Sequence, residues 1–92
     1  MIFKGKCMEK PIRLSNHAKI QCDERGVLEE EVIEAVRMGT REPAKKGRIM
    51  CMQNFQYNNY WNDSYYPIKQ VAPVIAEDEN EIVVVTVYSY YF

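Results

Sequence analysis

The stretch Leu14–Gly39, LSNHAKIQCDERGVLEEEVIEAVRMG, reads as two short helices, each closed by a glycine. Ser15 suits an N-cap, because its hydroxyl oxygen can accept an orphan amide of the first turn. Behind it, Leu14, Ala18 and Cys22 recur at i, i+4 and i+8 as a narrow apolar stripe. His17, Gln21, Glu24 and Arg25 fall on the neighbouring polar face, and Gly26 supplies the stop. The second helix is predicted over about residues 28–38. Glu29, Glu30 and Glu31 meet the positive end of its dipole, and Arg37 suits its last turn. Val32, Ile33, Ala35 and Val36 form its apolar face, and Gly39 ends it.

Beyond Gly39 the pattern changes from helical to extended. Residues 40–48 (TREPAKKGR) read as a polar, basic connector. Ile49 to Tyr57 and Ile68 to Ala76 read as strands, with Pro73 demanding an edge position or a bulge in the second. The acidic run Glu77–Glu81 is a hairpin turn. Ile82 to Tyr90, IVVVTVYSY, is the strongest strand and is expected to be central. The order predicts an α+β fold with two N-terminal helices packed on a small antiparallel sheet of three to four strands. One domain covers residues 1–92: an N-terminal segment (1–11), a helical part (12–39), the basic connector (40–48) and an antiparallel β-meander (49–91).

Composition narrows the function. Charged residues make up 27% and the formal net charge is -1, which excludes a molecule coated in basic charge. The charge is nevertheless unevenly placed. Arg37, Arg41, Lys45, Lys46 and Arg48 face a single acid, Glu42, whereas Lys69 is the one basic residue after Ile49. That block is a candidate RNA-binding patch. No apolar run exceeds four residues, as in Ile82 to Val85, far short of the ~20 residues a membrane span needs. With no signal-peptide pattern, the chain is expected in the cytoplasm and away from membranes. Three cysteines, an odd number, are expected as free thiols.

Residues 53–66, QNFQYNNYWNDSYY, interleave aromatics with asparagines. Tyr60, Trp61, Tyr65 and Tyr66 fall at or near a hairpin tip, in what reads as an interaction loop. Packing on the sheet, anchoring of a partner and stacking on bases are the uses open to them. Tyr88, Tyr90, Tyr91 and Phe92 form a second cluster. His17 is the only histidine; with Arg25 it could act as acid–base and anion clamp, or simply bond within the fold. Cys7, His17, Cys22 and Cys51 could number a zinc set, but no C-x-x-C or H-x-x-x-H spacing fixes one. Neither a metal nor a cofactor is expected, and no phosphate-binding loop or dinucleotide fingerprint is present.

The segments Leu14-Ser15-Asn16-His17-Ala18, Arg25-Gly26-Val27, Glu30–Ala35 and Val84–Tyr88 together resemble an uncharacterised bacterial and archaeal domain family. Its pattern runs S-x-HA, eRG(I/V), eeV-x-eA and vvTvy. Gln21 stands where that pattern often carries arginine, Leu28 where it often carries Thr or Ser, and the 57–66 loop is longer. The resemblance implies a fold similar to the RelE, ParE and BrnT toxins, many of which bind or cleave RNA. His17 and Arg25 match the family's most characteristic polar positions.

Two expectations follow. In the first, the chain is a toxin-like domain that binds RNA, or a metal-independent ribonuclease of toxin–antitoxin type, with RNA or an antitoxin-like protein as partner. His17 and Arg25 would be catalytic, and Arg37, Arg41, Lys45, Lys46 and Arg48 would hold RNA. In the second, it is a non-catalytic interaction module, a homodimer or partner binder, using Tyr60, Trp61, Tyr65 and Tyr66.

Overall fold

Ser15 marks the junction between a strand and a helix in the computed structural model, which describes residues 10–92. Strand β1 is Ile12–Leu14, and helix α1 is Asn16–Arg25. The Ser15 hydroxyl accepts the Ala18 amide at 3.1 Å, as its capping chemistry requires. Gly26 closes α1 at φ +68°. Helix α2, Glu29–Met38, starts without a side-chain acceptor at Leu28; the Glu31 carboxylate instead takes the Leu28 amide at 3.0 Å. Gly39 does follow α2, but with φ -75° rather than in the left-handed region. Close approach explains it: a Cβ there would sit 2.6 Å from the carbonyl oxygens of Ala35 and Met52.

The remaining strands are β2 (Thr40–Pro43), β3 (Ile49–Trp61), β4 (Ser64–Glu77) and β5 (Ile82–Tyr91). They form one five-stranded sheet of order β1-β5-β4-β3-β2. The fold is α+β as expected, but the sheet is larger than three to four strands and is mixed. β1 runs parallel to β5, with Ile12, Arg13 and Leu14 opposite Ile82, Val83 and Val84. A three-residue strand whose partner lies so far along the chain leaves no local signal. The expected connector over 40–48 is in fact the edge strand β2, paired to β3, followed by a short 3-10 turn at Lys45–Gly47.

The 57–66 segment is not a loop. β3 and β4 continue through it, and only Asn62 (φ +51°) and Asp63 (φ +71°) turn the chain. Two consecutive positive φ values make the primed turn that matches strand twist, and Asn and Asp tolerate it. Asn58, at φ +47°, sits in a bulge between Gln56 and Asn59. β4, not β5, is the central strand, and it carries Pro73. Of the two settings expected for that proline, the structure shows the bulge and not the edge: Pro73 lies directly before a register shift between β4 and β5 at Val74/Ile75.

That shift decides which residues face the helices. Val74 pairs with Thr86 and Ile75 with Val84, so Val85 is the extra residue. Side chains alternate along a strand, and the extra residue puts Val84 and Val87 on the same face. Both are fully buried, with Cys51, Val71 and Ile75, against Ala18, Cys22, Val32, Ala35 and Val36 of the helices. Ile33, expected on the apolar face of α2, is instead exposed. Both helices cover one face of the sheet. Among the described residues no helix is long and apolar enough to cross a membrane.

Candidate functional site

His17 and Arg25 occupy opposite ends of α1, eight residues and about 12 Å of helix apart. His17 is exposed near the helix start. Arg25 is engaged in the fold: its Nη1 donates to the Val87 carbonyl at 2.8 Å, and its guanidinium carbon lies 5.5 Å from the Tyr88 ring centre. Gln21, one turn earlier, accepts the Val87 amide at 2.7 Å. Together the two side chains bond both backbone groups of Val87, just past the point where β1 stops covering β5. They act as a substitute strand and close that edge.

The corner after α1 is fixed by Lys69 and by aromatic side chains of β3, β4 and β5. Lys69, buried on β4, donates from Nζ to the Gly26 carbonyl at 2.9 Å and to Glu31 Oε1 at 2.7 Å. Its ammonium also lies 5.2 Å from the Tyr57 ring centre. Tyr91 donates to the Arg25 carbonyl at 2.6 Å; burial holds its phenol in the protonated form by pushing its pKa up. Trp61 stacks on Tyr91 with ring centres 4.9 Å apart, and Tyr66 lies 5.9 Å from the same ring. Half of the expected interaction loop is thus internal packing. Tyr60 and Tyr65 are different: they meet edge to face at 5.5 Å and remain 66% and 52% exposed at the hairpin tip.

The basic block also divides. Arg37 donates to the Lys10 carbonyl at 3.0 Å, and Arg41 donates to the Val36 carbonyl at 3.0 Å. Both tie the helix layer down. Lys45, Lys46 and Arg48 instead border a groove of about 430 Å³ on the face of the sheet opposite the two helices. Its floor is Met50, Val74, Val85, Thr86 and Tyr88, one side chain or more from each of β3, β4 and β5. Glu42 adds one carboxylate to the rim, against three cations. Register continues the floor along β5: Tyr88 pairs with Ala72 and Tyr90 with Gln70, so both rings project from the face bearing the groove. Phe92, next in that alternation, is 54% exposed. A row of aromatics therefore leads into a basic rim.

Cys22 and Cys51 are free, buried thiols whose pKa burial pushes up, which makes them poor nucleophiles. Cys7 lies outside the described residues. Among those described, no group of His, Cys, Asp and Glu could hold a metal. Comparison with known proteins finds no matching family model, no matching curated protein and no matching solved structure.

Proposed function

We propose that the chain binds single-stranded RNA across the face of its sheet opposite the two helices. The observation that carries the reading is the groove in which Lys45, Lys46 and Arg48 border Met50, Val74, Thr86 and Tyr88. Unpaired bases need flat apolar or aromatic surface to stack on, and the phosphates beside them need cations at a few ångströms. Tyr88, Tyr90 and Phe92 offer the first and the 3-10 turn the second. Duplex RNA does not suit the site, because its bases are stacked already and cannot reach the floor.

The proposal is for binding rather than cleavage, since His17 and Arg25 stand at opposite ends of α1. Arg25 keeps a role as the cation held beside Tyr88. Kinship with the RelE-like toxins belongs to the same proposal and is carried by the sequence segments around Ser15–Ala18, Arg25–Gly26 and Val84–Tyr88. The test is anisotropy of a labelled eight-nucleotide oligouridylate against protein. Neutralising Lys45, Lys46 and Arg48 together should remove binding, and Tyr88→Ala should weaken it. Equal binding by all three proteins would place the RNA elsewhere.

A further inference from the structure

Parts of the outer edges of this sheet are closed. On β5, β1 covers the first residues, and Gln21 and Arg25 hold Val87. On β2, Arg41, Glu42 and Pro43 provide the charge and the missing amide that discourage a further strand. β3 pairs with β4 along its whole length but extends far past β2. β2 accompanies it only from Ile49 to Met52, and among the described residues no strand lies outside it from Gln53 to Trp61.

Hydrogen-bond phase shows which groups are open. The Ala44 amide bonds the Arg48 carbonyl at 2.8 Å, and Glu42 and Thr40 then fall opposite Met50 and Met52. Backbone groups alternate sides along a strand, so those of Asn54 and Gln56 point outward while those of Gln53 and Phe55 serve β4. Farther along, the edge closes itself. Asn59 Oδ1 accepts the Tyr60 amide at 2.7 Å, and the Tyr57 hydroxyl donates to the Tyr60 carbonyl at 3.1 Å. The open segment is Gln53–Tyr57.

We propose that this segment is a self-association edge on which a second copy of the chain pairs antiparallel. The two-fold axis would pass beside Phe55, so Asn54 of each copy exchanges backbone bonds with Gln56 of the other, and the two sheets become one. Symmetry argues for a copy rather than a different protein. In a two-fold interface each surface meets itself, so a charge near the axis meets a like charge. No Asp, Glu, Lys or Arg occurs from Gln53 to Trp61, in a chain that is 27% charged. Phe55, partly buried against the core, would meet its own copy across the axis, an aromatic pairing that antiparallel strands favour.

Sedimentation equilibrium of the full chain, from about 10 to 500 µM, tests it. A reversible monomer–dimer equilibrium is expected for the wild type. Gln56→Pro removes an outward amide that β4 does not use, so it should leave the circular dichroism unchanged and give a monomer throughout. Asn54→Asp with Gln56→Asp, which keeps every backbone group but sets carboxylates facing one another, should weaken dimerisation at least tenfold at low salt. A wild type that stays monomeric over the whole range overturns the proposal. So does a dimer that both folded variants leave intact.

Discussion

Lys69 Nζ lies 2.7 Å from Glu31 Oε1, with side-chain exposures of 5% and 17%. This ion pair joins the first turn of α2 to the central strand. The same ammonium bonds the Gly26 carbonyl, and the same carboxylate bonds the Leu28 amide, so the whole turn between the helices hangs on it. A buried charge that loses its partner is costly, whereas one that keeps a hydrogen bond is less so. Lys69→Ala should therefore cost about 2–4 kcal/mol. Glu31→Gln, which can still accept the Leu28 amide, should cost about 1–2 kcal/mol. Urea denaturation of the two variants measures both, and equal losses would contradict the ranking.

Gly26 is required for two independent reasons. Its φ is +68°, and a Cβ there would sit 2.5 Å from Trp61 Cζ3. Gly47 has a similar φ of +71° but open space around it. Gly47→Ala should cost about 1 kcal/mol, the left-handed penalty alone, and Gly26→Ala clearly more. Trp61 is the only tryptophan, so its emission should shift in the Gly26 variant and not in the Gly47 variant.

Gln21 is buried, and its role is to accept the Val87 amide. Gln21→Met keeps the volume and orphans that amide, at about 1–3 kcal/mol. Hydrogen exchange at Val87 should accelerate in step with the loss of stability. Protection equal to the wild type would show that α1 does not close this edge.

The turn between β4 and β5 should make stability sensitive to acid. Backbone amides of Glu81 and Asn80 hold the Asp78 carboxylate below its ordinary range, and Arg13 does the same for Glu81. A depressed carboxylate contributes stability that is complete above its unfolded pKa and is lost as pH falls through its folded one. The melting temperature should thus be insensitive to these groups at neutral pH and fall below about pH 4. Asp78→Asn keeps an acceptor that does not titrate, so its melting curve should fall less steeply in acid.

What the sequence disclosed follows from how local each signal is. Ser15, Gly26 and the three glutamates of α2 act within one helical turn, and both helices lie where they predict. β1 escaped because its partner is at Ile82–Val84. The asparagines at 58 and 62 suggested a long loop, since the same residue type serves loops, bulges and two-residue turns alike; only the ladder on either side tells them apart. The bulge at Val85 is equally silent in a run of valines, yet it moves Val87 into the core and Tyr88 to the open face. Lys45, Lys46 and Arg48 were legible as a basic block. Their floor was not, because Met50, Val74 and Tyr88 come together only across three strands.

The measurement that bears most directly on RNA binding is a salt titration of the oligouridylate complex, wild type against the protein with Lys45, Lys46 and Arg48 neutralised. If about three phosphates are held at the rim, the wild-type affinity should fall about 20-fold between 50 and 200 mM salt, and the variant should bind weakly with almost no salt slope. No binding by the wild type at 50 mM salt, or the same slope in both proteins, would contradict the assignment of the groove.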